Sequence, residues 1–302
     1  MRVVVQGAGS VGSLVGGLLA WTGEDVTLLG RPGEHLTRVA DEGLVVEHTD
    51  GSETTTHPGT ATESAVVADA DLVVVCVKSY DTVDAARDLS GHLGGADVLT
   101  LQNGLGNAES LAEHVPPGAV LAGTTSNGAV LEEPGVVRHA GEGETTLGRY
   151  FADNDTAAER VAAMLSDASL EATVTDDPER AVWTKVLVNA GINAATALAR
   201  VPNGALVEHE AGERLLERTV EEGLEVARAE GVDVPSHVVE RTRDVARWTA
   251  SNHSSMRQDV ERGSRTEVET LHGALVERAG EHDVDVPVLR TLADLVRLAE
   301  RR

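Results

Sequence analysis

The 302-residue chain reads as a doubly wound parallel α/β domain followed by an all-helical domain. Three observations predict this. A short apolar run, Val3–Val5, leads into Gly7-Ala8-Gly9-Ser10-Val11-Gly12 and then an apolar helix to about Trp21. Strand-like and helix-like stretches then alternate. Past Asp176 only helical periodicity recurs, so the domains are expected at 1–175 and 176–302.

In the first domain, Val3–Val5 is continuously apolar, as a strand buried on both faces should be. Asp25–Leu29, Leu72–Val77 and Val98–Leu101 read as further strands, with helices near 79–93 and 105–114. Residues 43–57 and 135–148 read as smaller strand pairs, bounded by Pro-Gly and Gly-Glu-Gly turn signals. A helix near 155–168 and a strand near 171–174 close the domain. The second domain carries helical periodicity over Glu179–Ala199, Glu208–Glu230, Val238–Ser251, Thr266–His282 and Val288–Glu300.

Apolar residues make up 41% of the chain and aromatics only 2%, so the cores must be built from Val, Leu and Ala. Fifty acidic residues face 25 basic ones, a net charge of −25. Such a surface repels nucleic acid and anionic membranes. The acids are scattered rather than blocked, and the reading is adaptation to a salt-rich cytoplasm of the halophilic kind. Only Lys78 and Lys185 are lysines. They stand where arginine has replaced lysine everywhere else, and lysine, unlike arginine, can shift its pKa and transfer a proton. The single cysteine, Cys76, excludes an internal disulfide and a cysteine metal cluster. No apolar run is long enough to span a bilayer, no signal peptide fits, and the expected location is cytoplasmic.

The GxGxxG at Gly7–Gly12 directly follows a strand and opens a helix, the context a Rossmann-type dinucleotide site requires. Its glycines permit a tight turn and a close backbone approach to pyrophosphate at the helix N-terminus. At the end of the second strand stands Arg31 rather than an acid, which favours the 2′-phosphate of NADPH over the free ribose of NADH. Lys78 and Asn103 follow strands at their carboxyl ends, where doubly wound sheets bind ligands. Lys185, Asn189 and Asn193 fall at i, i+4 and i+8 on one face of an otherwise apolar helix, a polar stripe suited to a cavity wall. A second cluster, Asn252-His253-Ser254-Ser255-Met256 followed by Arg265-Thr266-Glu267-Val268-Glu269, reads two ways. Its groups can hold a carboxylate or orient a lysine, or they form a helix cap at Ser255 or Thr266. No histidine or carboxylate spacing suggests a metal site.

Taken in order, these pieces resemble the ketopantoate reductase family over the whole chain. The resemblance rests on Gly7–Gly12, Arg31, Val77-Lys78, Asn103-Gly104, Trp183-Thr184-Lys185 with Asn189 and Asn193, Pro202-Asn203-Gly204, Asn252–Met256 and Thr266-Glu267. It implies NADPH-dependent reduction of 2-dehydropantoate to pantoate, a step toward coenzyme A. It implies Lys185 as general acid and Glu267 as an active-site carboxylate contacting Lys185 or the substrate. Ser255 would hold the substrate carboxylate, and Asn189, Asn193 and Asn252 its polar groups. Asn103 and Lys78 would lie where nicotinamide and substrate meet, so that Asn103 and Glu267 border the cofactor too. The active site is expected in a cleft between the domains, with Glu269 a rival for the role of Glu267. A small 2-oxo acid is the implied partner, and a homodimer is compatible with this reading. The alternatives are a related hydroxyacid or opine dehydrogenase and a non-catalytic dinucleotide-sensing module.

Overall fold

The computed structural model describes residues 1–300. They form two compact units: Met1–Gln102 with Asn107–Pro178, and Asn103–Gly106 with 179–300. A four-residue piece of the N-terminal half therefore packs as part of the helical unit, which no single cut of the chain expresses.

The first unit runs β1 (Arg2–Gln6), α1 (Ser10–Trp21), β2 (Asp25–Leu29), α2 (Glu34–Glu42), β3 (Leu44–Glu47), β4 (Glu53–Thr56), β5 (Gly59–Ala61), β6 (Leu72–Val75), α3 (Thr82–Leu89), β7 (Asp97–Thr100), α4 (Asn107–Ala112), β8 (Val120–Thr125), β9 (Gly128–Glu133), β10 (Val136–Gly141), β11 (Thr145–Arg149), α5 (Thr156–Asp167) and β12 (Ala172–Val174). The main sheet has the order β12-β11-β8-β7-β6-β1-β2-β5. From β8 to β5 every neighbour is parallel, while β11 runs antiparallel to β8. Val3, Val4 and Val5 in β1, and all four residues of β6, are fully buried, because a central parallel strand is covered on both faces.

A second sheet, β4-β3-β10-β9, packs on α1. The helix is thereby covered by two sheets, and Gly12 through Leu19 are all buried. Two adjacent glycines allow the fit: a Cβ on Gly16 would stand 2.5 Å from Leu28 of β2, and one on Gly17 would stand 2.7 Å from Val46 of β3. The sequence reading needs three corrections here. Residues 135–148 are not a strand pair, since β10 pairs with β9 in the small sheet and β11 with β8 in the large one. Helix α2 and the strands β5, β8 and β9 were not expected. The strand over Leu72–Val77 ends at Val75, although Cys76 N–H still bonds Gln6 O at 2.8 Å.

The helical unit comprises α6 (Pro178–Ala199), α7 (Ala205–Glu208), α8 (Glu210–Ala229), α9 (Val238–Trp248), α10 (Ser255–Glu261), a π-turn at Glu269–Gly273, α11 (Ala274–Glu281) and α12 (Pro287–Glu300). From Val186 to Val188 and from Ala190 to Ala197 α6 is buried without a break, so it is surrounded rather than laid on a surface. Gly191 lets it approach Val220 of α8 and Thr242 of α9. The sequence reading missed α7 and α10, and read the π-turn and α11 as one regular helix. No described helix is long and apolar enough to cross a membrane.

Candidate functional site

In the first unit the glycine loop is shaped by its neighbours. A Cβ on Gly7 (φ +105°) would lie 2.6 Å from the Val77 backbone, and one on Gly12 would run into the Gly7 carbonyl. A Cβ on Gly9 would meet nothing within 4 Å. Gly7 and Gly12 thus close the turn, and Gly9 leaves open space beside the backbone. Gly9 is also the N-cap of α1, no side chain caps it, and the first turn holds no acid. In a chain with fifty acidic residues, this helix start presents free amides and no negative charge. These residues fit a dinucleotide pyrophosphate.

The small sheet holds this loop in place. Leu131 N–H of β9 donates to Ser10 Oγ (3.1 Å), and Gly135 N–H donates to His35 Nδ1 (3.0 Å). With Nδ1 accepting, the ring proton sits on Nε2, which lies 2.9 Å from Ser13 Oγ. Burial lowers the His35 pKa, in keeping with a neutral ring. Ala8 lies in the turn before α1, and Val11 is the second residue of the helix. Arg31 follows β2, with 92% of its side chain exposed and one long ion pair, 3.8 Å, to Asp81. Lys78 follows β6 in a turn that Gln102 secures, because its Nε2 donates to Val77 O (3.0 Å) and Thr82 Oγ1 (2.7 Å). Sequence reading placed Gln102 at the carboxyl end of a strand but missed this role, and it missed His35 altogether, because their partners lie 25 and 100 residues away.

In the helical unit, α6 carries Lys185, Asn189 and Asn193. Asn193 is only 6% exposed. The side-chain amides of Asn189 and Asn193 make no hydrogen bond among the described residues, although their helix is buried. Lys185 is largely buried too, and its ammonium has neither a hydrogen bond nor an ion pair among the described residues. Burial pulls its pKa down to about 8, and the field of Glu267 opposes that fall.

Glu267 is 7% exposed, and its Oε2 accepts from Asn103 Nδ2 at 3.2 Å. Its neighbours are pinned to α12: Thr266 donates to Glu300 through both its backbone N–H (2.7 Å) and its hydroxyl (2.5 Å), and Arg297 forks onto both oxygens of Glu269 (2.8 and 2.6 Å). That pairing holds the Glu269 carboxyl below its usual range and ties it to the surface. Of the two carboxylates, Glu267 is therefore the one that shares a site with Asn103 and Lys185.

The cap reading of the Ser-Ser pair needs a correction. Ser254, not Ser255, caps α10, accepting from Arg257 N–H at 3.2 Å. Ser254 Oγ also lies 2.8 Å from Thr196 Oγ1 of α6 and 3.5 Å from Asn193 O. This joins the start of α10 to the stripe and leaves Ser255 exposed as the first helical residue. Thr266 is not a helix cap either: Val268 N-caps the π-turn without a side-chain bond, and Thr266 Oγ1 accepts from Val268 N–H at 3.2 Å in a local turn before it. Asn252 is exposed, and its backbone carbonyl accepts from Asn203 N–H at 3.0 Å. Among the described residues, no group of three or more His, Cys, Asp or Glu is placed to hold a metal ion.

Two family models match the chain, described as ketopantoate reductase PanE/ApbA over residues 3–151 and ketopantoate reductase PanE/ApbA C terminal over residues 177–300. The chain is 66% identical to a 2-dehydropantoate 2-reductase of Halobacterium salinarum, covering 100% of this chain and 99% of that one. It is 37% identical to the Pyrococcus horikoshii protein of the same name, covering 99% and 98%. Among solved structures, a PanE/ApbA family ketopantoate reductase from Ralstonia eutropha matches with a TM-score of 0.91 at 34% identity, over 100% and 99% of the two chains. A D-mandelate dehydrogenase in complex with NADH and anilino(oxo)acetate matches with a TM-score of 0.93 at 25% identity over the same shares.

Proposed function

The chain belongs to the ketopantoate reductase family over both of its halves, and from that premise we propose that it reduces 2-dehydropantoate to pantoate with NADPH. The observation that carries the chemistry is Lys185: a largely buried ammonium without an ion-pair partner among the described residues, with Glu267 acting on it.

NADPH supplies the hydride when bound. The backbone of Gly7–Gly12 at the start of α1 takes its pyrophosphate, and Arg31 takes its 2′-phosphate. As the keto carbon is reduced, negative charge builds on the ketone oxygen. Lys185 Nζ stabilises that charge and delivers the proton. A pKa of about 8 suits this role, because the proton is present at neutral pH and is given up readily. Glu267 keeps the ammonium charged against the cost of burial, and Asn103 holds Glu267. Asn189, Asn193, Asn252 and Ser255 take the hydroxyl and carboxylate groups of the substrate. Lys78 borders the nicotinamide end. The carbonyl acceptor is small, and the site is that of a cytoplasmic enzyme adapted to high salt.

The likeness to D-mandelate dehydrogenase supports a second reading, a reductase of another 2-oxo acid on the same scaffold. A panel of 2-oxo acids assayed with NADPH and with NADH in molar KCl separates the two. The proposal expects the highest kcat/KM for 2-dehydropantoate with NADPH. A better aryl or short-chain 2-oxo acid supports the second reading, and no turnover of any acid leaves a dinucleotide-sensing module.

A further inference from the structure

The turn that follows Glu267 has an unusual form. Leu271 N–H bonds four residues back, to Glu267 O (3.1 Å), while Gly273 N–H bonds five back, to Val268 O (2.8 Å). The helix accommodates one extra residue here, and a wide turn of this kind leaves a carbonyl outside the regular helical ladder. The carbonyl of Thr270 is directed at the Asn103–Gly106 segment, where it accepts Leu105 N–H at 2.9 Å. Gly104 is pressed against the same residue: at φ +97°, a Cβ on it would stand 2.6 Å from Thr270 Cβ and 2.7 Å from Thr270 O. One residue earlier, Asn103 Nδ2 donates to Glu267 Oε2. On the opposite side of the turn, His272 is wholly buried beside the Ala190 backbone of α6.

We propose that Thr270 is a positioning residue: its carbonyl and side chain clamp Gly104-Leu105 and so seat Asn103 on the Glu267 carboxylate. The π-turn is the element that makes this carbonyl available, and glycine is the residue that fits under it. A regular α-helical turn would direct the Thr270 carbonyl along its own helix, and the Asn103 segment would lose this hydrogen bond. This inference rests on the proposed roles of Lys185 and Glu267 and adds to them the part that sets their geometry.

The test is a double-mutant cycle on 2-dehydropantoate reduction. Gly104→Ala collides with Thr270, and a displacement of about 1 Å at a reacting group costs up to about 10²-fold in rate. The expected result is a kcat lowered by about 10- to 100-fold, with the KM for NADPH nearly unchanged. Because the effect runs through Asn103, Gly104→Ala should lower kcat little further in an Asn103→Ala background. The alkaline limb of the kcat profile should also move to lower pH, because a displaced Glu267 supports the Lys185 proton less. The charged groups that bear on this limb are Lys185 and Glu267, while His272 on the turn is held neutral by burial, its pKa lowered to about 4. Deletion of Thr270, which returns the turn to α-helical register, should reproduce the kcat loss if circular dichroism shows it folded; Gly104→Ala decides the matter if it is not. Near-parental kcat in Gly104→Ala overturns the clamp, and so does an equal loss with and without Asn103. Lys185→Ala is measured alongside: full turnover there overturns the catalytic reading itself, which is a different result from failure of the clamp.

Discussion

Lys185 shows how one residue can be legible in a sequence while its chemistry is not. Its rarity and its spacing to Asn189 and Asn193 marked it, because both are local properties. Its altered acidity depends on burial and on Glu267, 82 residues away, which periodicity does not report. If Lys185 is the general acid, Lys185→Ala should lower kcat by about 10²–10⁴-fold while NADPH affinity barely changes. Lys185→Arg should not restore the rate, since guanidinium keeps its proton at neutral pH. The pH dependence follows from the lowered pKa. Below about 8 the acid is protonated and competent, and kcat should fall as pH rises through about 8 rather than near the ordinary lysine value of 10.5. Stability moves the other way: the unfolded chain holds this proton more tightly, so between about 8 and 10.5 deprotonation relieves the cost of a buried charge. A kcat profile flat to pH 10 would remove Lys185 from the proton transfer. Arg31 carries a second prediction. It is exposed and only loosely paired with Asp81, so a 2′-phosphate can claim it. Arg31→Ala should weaken NADPH by about 1.5–3 kcal/mol and spare NADH, and equal losses in the two Kd values would contradict the assignment. The family resemblance named Glu267 rather than Glu269, but the contact that separates them was hidden from the local sequence, because it depends on Arg297 on α12, which pairs with Glu269. The cap at Ser254 was one residue from the expected one, a shift decided by Thr196 on another helix.

The elements divide by how local their causes are. The loop between β1 and α1 was legible because strand, glycines and helix are contiguous. The pairing of β10 with β9, and of β11 with β8, was not, since short strands rich in Gly and Thr are specified by the edge they join. The π-turn was hidden for a similar reason: one extra residue barely disturbs the apolar periodicity of Thr266–His282. The position of α1 between two sheets depends on Gly16 and Gly17, which read in the sequence merely as weak helix formers. This placement gives a prediction of definite sign. An exposed helical Gly→Ala stabilises by about 1 kcal/mol. At Gly17 the new methyl meets Val46 at 2.7 Å and Leu44 at 3.1 Å, both deeply buried. Overpacking of this kind costs about 1–3 kcal/mol, so the net change should be a loss. Thermal melts of Gly17→Ala should show a lowered Tm; a raised Tm would mean that the small sheet does not confine α1. A shifted small sheet would also disturb Ser10 and His35, so a weaker dinucleotide affinity should accompany the lower Tm.

At the scale of the whole molecule the dominant quantity is the net charge of −25, with 50 acids against 25 basic residues. Salt acts on it in two opposing ways. Screening weakens the ion pairs, of which Arg243 with Glu213, Glu217 and Glu240 is the densest group and Arg38–Glu42 a typical exposed helical pair. Exposed pairs contribute only about 0–1 kcal/mol each. Screening also weakens the repulsion among carboxylates, and with twice as many acids as cations, half of them have no cation of their own. Compaction brings those surplus charges together, so repulsion burdens the folded state more than the unfolded one. The Debye length falls from about 30 Å at 0.01 M to about 3 Å at 1 M, which spans the distances between neighbouring surface charges. Relief of repulsion should therefore outweigh the loss of ion pairs, and Tm should rise steadily with KCl over that range. KCl is the salt to use, because sulfate or phosphate would strengthen apolar burial as well and blur the cause. Replacing a group of exposed glutamates on α8 and α9 with glutamine should raise Tm at low salt and flatten its dependence on KCl. A Tm that is flat or falling with KCl in the parent protein, or a slope that the glutamine variants leave unchanged, would show that the acidic surface is not what ties this fold to salt.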